Sequence, residues 1–287
     1  MPALTGPTPG LSTLASRYPA ILSDVWGVVH NGIAPHWSAV EALTAYREQG
    51  GRVVLITNAP RPGPPILDQL DAMGVPRDAY DALISSGDAT RTLLENWRGR
   101  TVARVGPSVD DVLFEGLDLA FGTDAEATAV VVTDLDTDDD VPADYAARMA
   151  VWKSRDLPLI CANPDKVVEE GDRIVYCGGA LADAYEDVGG HVMMAGKPYN
   201  PIYEQAKAML DEAAGRRFEK SQILAIGDSV RTDAMGAAQF GIDLLFITGS
   251  IHAAELDAFN DPPAKRVADF VSVSRANMVG FMPRLAW

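Results

Sequence analysis

The chain has 287 residues, 47% hydrophobic and 22% charged, a globular composition long enough for one large or two modest domains. Its formal net charge of −16 repels phosphate backbones and anionic bilayers, so neither nucleic acid nor a membrane is an expected partner, although a small anion is admissible where local charge opposes the global field. Two cysteines, Cys161 and Cys177, are too few for a disulfide framework and lack metal-ligand spacing, so both are expected as reduced core thiols.

The N-terminal MPALTGPTPGLSTLASRYPA has no basic start followed by a long apolar run, so it is not read as a signal peptide. No stretch approaches the roughly 20 apolar residues of a membrane span. A cytoplasmic location is therefore expected. AILSDVWGVV reads as a buried strand. SAVEALTAYREQGG reads as a helix, with Ser38 as cap, Glu41 completing a capping box, and Gly50-Gly51 ending it. RVVLITN is a second buried strand, followed by the loop PRPGPP. Helix, strand and helix then follow in LDQLDAMG, DALISS and DATRTLLENW. This rhythm of continuous apolar strands and amphipathic helices predicts an α/β fold with a doubly wound, Rossmann-like parallel sheet.

The middle is less regular. TVARVG, ATAVVVTD, LPLICANP and DRIVYC read as strands, with helices in VPADYAARMAVW and ALADAYEDVGG. The first rhythm resumes with HVMMAGKP, a helix from Pro201 to about Ala213 that Asn200 and Pro201 start, SQILAIGDS, a further helix, and DLLFITG. The expected organisation is a core of residues 1–79 and 193–287, interrupted by an inserted α/β domain over 80–192.

Four segments lie just past expected core strands: Asp24 in SDVWG, Thr57-Asn58 in LITNAP, Lys197 in AGKPYNP, and Asp228 with Asp233 in IGDSVRTD. In an open parallel sheet the ligand site lies outside the carboxyl ends of the strands, so these segments are expected to converge. A carboxylate can be a covalent nucleophile toward a phosphoryl group. Two carboxylates facing one another suit Mg²⁺, a lysine offsets remaining negative charge, and a threonine hydroxyl with backbone N–H groups holds phosphoryl oxygens. Taken singly, each residue also has a structural reading, as a cap, a turn or solvated surface.

Together, DVWGVVHNG, ITNAP, AGKPYNP and GDSVRTDAMGAAQFG resemble the four motifs of the haloacid dehalogenase superfamily of aspartate-nucleophile hydrolases. The insert resembles the class IIA (C2-type) cap of the NagD-like and p-nitrophenyl phosphatase-like branch, through VVVTDLD, ANPD and GGALADAYEDVGG. The resemblance implies a Mg²⁺-dependent phosphohydrolase acting on a small phosphorylated metabolite. It makes Asp24 the nucleophile and a metal ligand, Thr57 and Asn58 the phosphate binders, Lys197 the charge-offsetting lysine, Asp228 a metal ligand and Asp233 the second acid of its motif. Gly27 would allow close approach of the loop. Such caps can also mediate dimers, which leaves a homodimer open.

Trp26 departs from this pattern. Phosphatases of the family carry there an aspartate whose backbone carbonyl ligates Mg²⁺ and whose carboxyl group protonates the leaving oxygen. Tryptophan keeps the carbonyl and lacks the acid. His30 could supply acid–base chemistry, or it is a loop residue facing the cap, the reading preferred here. Trp26 itself could stack on a planar substrate or wedge beneath the cap. Two further readings stay open: a phospho-ligand-binding protein without turnover, and a dehalogenase-like hydrolase, which the acids at 228 and 233 argue against. The run Asp134–Asp140 fails as an EF-hand because Asp139 and Tyr145 occupy the glycine and glutamate positions, so it is expected as a solvated cap loop. His30, His36, His191 and His252 form no metal motif. Asn163, Asp165 and the loop 134–140 are the expected places for substrate choice.

Overall fold

The computed structural model describes residues 6–170 and 173–287. Its strands are β1 (Ala20–Ser23), β2 (Arg52–Thr57), β3 (Ala82–Ser85), β4 (Arg100–Val105), β5 (Leu119–Phe121), β6 (Val130–Val132), β7 (Pro158–Cys161), β8 (Val167–Glu170), β9 (Arg173–Tyr176), β10 (His191–Met194), β11 (Ile223–Gly227), β12 (Asp243–Ile247) and β13 (Asn277–Met282). The expected strand DRIVYC begins at Asp172, outside the described residues, as do the first five residues of the N-terminal segment.

Six strands form one parallel sheet in the order β13-β12-β11-β1-β2-β3. Both faces are covered, which is why these strands read as continuous apolar runs. Ile21, Val53, Leu55, Leu224 and Ile226 point to a core shared with the helices Trp37–Glu48 and Gly63–Ala72. The alternating residues Leu22, Val54, Ile56, Ala225 and Phe246 point to a core shared with the helices Asn200–Ala214 and Met235–Phe240. Strand order reverses direction between β1 and β11, so the loops after these two strands diverge to opposite faces and open a crevice at their carboxyl ends.

A second parallel sheet has the order β10-β7-β6-β4-β5. Val130, Val132, Leu159 and Cys161 pack on one face against Trp152 and Tyr185, and Val131 and Ile160 pack on the other against Leu94 and Leu113. The antiparallel pair β8–β9 stands apart from both sheets. Cys161 and Cys177 are free and buried, as expected. Among the described residues no helix is long and apolar enough to cross a membrane.

The α/β expectation holds, with local corrections. Ser38 lies inside its helix, and His36 precedes it without a side-chain cap. A true capping box forms instead at Ser85 and Asp88, where the β3 strand turns directly into a helix. Tyr199, not Asn200, precedes the helix Asn200–Ala214. The strand Ala82–Ser85 pairs with β2, so the chain leaves the first sheet a few residues beyond 79. HVMM pairs with β7 in the second sheet and not in the core: its short apolar run does not specify which parallel neighbour it joins. β5, β8 and β13 were not anticipated: β5 and β8 are short, and β13 has Gly280 in its middle.

The segment Asn163–Asp165 crosses from the second sheet toward the crevice, and the first turn of the helix Gly178–Asp187 rests on it. A Cβ on Gly179 would sit 2.2 Å from the Pro164 carbonyl oxygen and 2.6 Å from that of Asp165. Gly179→Ala is therefore expected to cost about 2 kcal/mol or more, since overpacking against rigid backbone cannot relax; denaturant unfolding at unchanged stability would remove this contact as a constraint.

Candidate active site

Asp24 follows β1, and its N–H extends the β1–β11 ladder to the Ile226 carbonyl (2.8 Å), which fixes the carboxylate at the mouth of the crevice. Gly27 turns the loop away at φ +85°. A Cβ there would lie 2.1 Å from the Asp228 carboxylate, so only glycine lets the two loops approach. Asp228 follows β11 across the reversal point, and a Ser250 hydrogen bond holds its carboxylate. Asp233 lies in the π-helical turn Val230–Ala234 and accepts from the N–H groups of Asp228 (3.2 Å) and Ser229 (3.1 Å).

Lys197 unites these acids. Its Nζ donates to Asp24 Oδ1 (2.6 Å) and to Asp233 Oδ1 (2.7 Å), and the residue is 1% exposed. It does not rise from a core strand, as expected from sequence; it descends on the connection between β10 and the helix Asn200–Ala214. Gly196 allows this. A Cβ there would lie 2.4 Å from Ser86 Oγ and 2.6 Å from Asn58 Oδ1.

The electrostatics favour a cation. Burial pushes Asp24 well above the usual carboxylate range, Asp233 pushes further, and Lys197 opposes both. Burial and then Asp233 raise Asp228 to about 7. Burial would lower Lys197, but Asp233, Asp24 and Asp165 together outweigh it and hold it above the ordinary lysine value. One lysine thus offsets three buried carboxylates whose oxygens lie within 4.8 Å of one another. A hard-oxygen set with this surplus of negative charge fits Mg²⁺.

Thr57 is buried at the end of β2, its Oγ1 accepting from the Ala59 N–H (3.2 Å). Asn58, expected to bind phosphate, is used differently. Its Oδ1 accepts from the Lys197 N–H (2.7 Å), and its Nδ2 donates to the Lys197 carbonyl (3.2 Å) and to Asp165 Oδ1 (3.0 Å). The amide therefore clamps the lysine's backbone, with both side-chain N–H groups engaged inside the protein.

His30 does not face the cap. It is 2% exposed, its Nδ1 accepts from the Gly32 N–H (2.9 Å), and its ring meets Trp26 edge-on at 5.1 Å. Burial, with His36 and Arg61, lowers its pKa to about 4, so it is neutral. Trp26 lies over Gly32, where a Cβ would come within 2.6 Å of the indole. Trp26, with Asp165 and Val168, lines two spaces. A cavity of about 20 Å³ is lined by Asp24, Trp26, Asp165 and Asp228, among others. A pocket of about 390 Å³ is lined by Trp26, Thr57, Arg61, Asp134, Asn163 and Asp165, with the loop 136–138 and Tyr176. All the segments expected to choose substrate thus reach one pocket. The 134–140 loop is not wholly solvated: Asp134 is partly buried and takes a bond from Asn163 Nδ2 (3.1 Å), while Tyr145 Oη receives the Asp136 N–H. Arg61, Ser250 and Thr232 were not anticipated: Thr232 lies within GDSVRTD beside Asp233, whereas Arg61 and Ser250 reach the site only through tertiary packing.

Family models match twice: one for haloacid dehalogenase-like hydrolases over residues 21–119, and a related HAD-hydrolase-like model over 194–273. Among solved structures, a haloacid dehalogenase-like family hydrolase from Brucella suis is 40% identical, covers 96% of this chain and 98% of its own, and superposes with a TM-score of 0.86. A possible sugar phosphatase of the HAD superfamily from Cytophaga hutchinsonii is 21% identical over 89% of this chain and 95% of its own, with a TM-score of 0.73. A glycerol phosphate phosphatase from Mycobacterium tuberculosis, in complex with magnesium, is 23% identical over 88% and 74%, with a TM-score of 0.64. No curated protein matches.

His30 makes stability pH-dependent. Its folded pKa lies below the unfolded value of about 6.5, so its contribution is complete above pH 6.5 and is lost as pH falls toward 4. The full window is worth about 3 kcal/mol. In His30→Asn, whose Oδ1 can accept from Gly32, the fall in unfolding free energy between pH 6.5 and 4.5 is expected to be shallower than in wild type. Parallel curves would show that His30 does not titrate on unfolding.

Proposed function

The chain belongs to the haloacid dehalogenase-like hydrolases, and on that basis we propose that it is a phosphomonoesterase in which Asp24 attacks phosphorus, with Mg²⁺ held by Asp24, Asp228 and the Trp26 carbonyl. The observation that carries this reading is the bridge from Lys197 Nζ to Asp24 and Asp233 beside Asp228. In it the six-stranded half is the catalytic core and the five-stranded half a class IIA cap that covers the site.

Asp24 Oδ bonds to phosphorus as the alkoxide or aryloxide departs, giving an aspartyl phosphate that water then hydrolyses. Lys197 opposes the rise that burial imposes on Asp24 and offsets charge on the phosphoryl oxygens, and Asp233 holds the lysine in place. A bound divalent cation would neutralise the nucleophile and phosphoryl group and orient them. Thr57 offers its hydroxyl at the end of β2.

Trp26 stands where the family's phosphatases carry an acid. General acid–base help from one position is worth about 10²–10⁴-fold. Neutral His30, engaged by Gly32 and packed on the indole, does not stand in for it. Activated esters should therefore be favoured over alkyl esters. The pocket of about 390 Å³ suits a small metabolite, and its carboxylate and amide wall suits hydroxyl groups.

A phospho-ligand-binding protein without turnover is the second reading, and the indole at 26 is what favours it. Phosphate release from p-nitrophenyl phosphate and a panel of alkyl phosphates, with Mg²⁺ or EDTA, separates the two. Wild type is expected to hydrolyse the aryl ester with Mg²⁺ only, Asp24→Asn to release none, and Trp26→Asp to gain at least about 10-fold on alkyl esters. Activity retained in Asp24→Asn contradicts the mechanism; ligand binding with no release in any variant supports the second reading; release unchanged in EDTA contradicts the bound cation.

A further inference from the structure

The clamp on Lys197 does not end in the core. Besides its two bonds to the Lys197 backbone, the Asn58 amide has a third partner in Asp165, whose Oδ1 accepts from Asn58 Nδ2 (3.0 Å). The same carboxylate receives a bond from Thr232, in the turn that carries Asp233. Asp165 therefore ties the end of β2 to the turn after β11, although it belongs to the segment that follows β7 in the other sheet. Its own placement is set from the pocket side. Its N–H donates to Asn163 Oδ1 (3.2 Å), whose Nδ2 donates to Asp134 Oδ2 (3.1 Å) on the pocket wall. The Gly179 N–H holds its carbonyl (3.0 Å).

Hydrogen bonds thus run from Asp134 through Asn163, Asp165, Asn58 and the Lys197 backbone to Lys197 Nζ and Asp24. Asn58 is buried and Lys197 is 1% exposed, so water has little room to replace a lost partner. We propose that Asp165 is a positioning residue: by fixing the Asn58 amide, it holds Lys197 in the place from which its Nζ bonds Asp24 and Asp233, and it does so only while the pocket-forming half of the molecule is seated on the core. The kinetic part of this inference rests on the phosphatase reading; the structural part does not.

The test uses the full chain with Asp165→Ala, Asp165→Asn and Asn58→Ala. Kinetics are measured on p-nitrophenyl phosphate with Mg²⁺. Asp165→Ala is expected to lower kcat about 10–100-fold, since small misplacement of a catalytic group is that costly, with KM changed far less. Asp165→Asn, which keeps an acceptor oxygen, should recover most of the loss. Asn58→Ala should leave nothing further for Asp165→Ala to remove in the double variant.

The second readout needs no turnover. In ¹⁵N-lysine-labelled protein, the Nζ resonance assigned through Lys197→Arg is expected to shift or broaden in Asp165→Ala and to return toward wild type in Asp165→Asn. If Asp165→Ala fails to fold, Asp165→Ser, too short to reach Asn58, replaces it. Additive kinetic losses, or a Lys197 resonance unmoved by loss of the carboxylate, overturn the proposal. A higher kcat in Asp165→Ala also overturns it, because the carboxylate would then obstruct the site. Absence of phosphatase activity in wild type would refute the functional reading alone, and the Lys197 resonance would still decide this one.

Discussion

One buried ammonium group surrounded by carboxylates is the constraint on which the site depends. Lys197 sits between Asp24 and Asp233 with almost no access to water. A buried lysine would ordinarily lose its proton, and buried carboxylates would ordinarily gain one. Here the carboxylates hold the lysine charged, the lysine opposes only part of the rise that burial and the neighbouring acids impose on Asp24, and the crowding of carboxylates around one ammonium is what a divalent cation can relieve. Removing either partner leaves a charge without compensation, which is the costly case for buried ion pairs. The glycines at 27 and 196 follow from this crowding: Gly27 gives up a side chain so that its loop can meet Asp228, and Gly196 so that the Lys197 segment can meet Asn58 and Ser86.

The sheet supplies the geometry. Reversal of strand order between β1 and β11 brings Asp24 and Asp228 to adjacent strand ends although about two hundred residues separate them in sequence. This much was legible before any coordinates, because apolar runs ending in Asp24, Thr57 and Asp228 identify buried parallel strands and the place where their ends must lie. Lys197 was legible as a site residue but not in its origin: the strand before it, HVMM, is as apolar as a core strand, and only pairing with β7 assigns it to the other sheet. The role of Asn58 was not legible either. An amide at a strand end reads as a ligand group, and its clamp on the Lys197 backbone depends on a residue 139 positions away.

Trp26 shows the same limit. Its identity alone removes an acid from the expected position, whereas its consequence comes from packing. Gly32 beneath it and His30 beside it fix the indole of a residue that lines both the small cavity at Asp24 and the larger pocket. His30, a candidate base by residue type, is instead a neutral buried support, and desolvation decided between the two roles.

The central claim is that Asp24 carries the phosphoryl group. Acid quenching during turnover of p-nitrophenyl phosphate, followed by borohydride reduction, converts an aspartyl phosphate to homoserine, which peptide mass spectrometry locates. Homoserine is expected at position 24, dependent on substrate and Mg²⁺. Turnover with an unmodified Asp24, or with reduction at another acid, would contradict it.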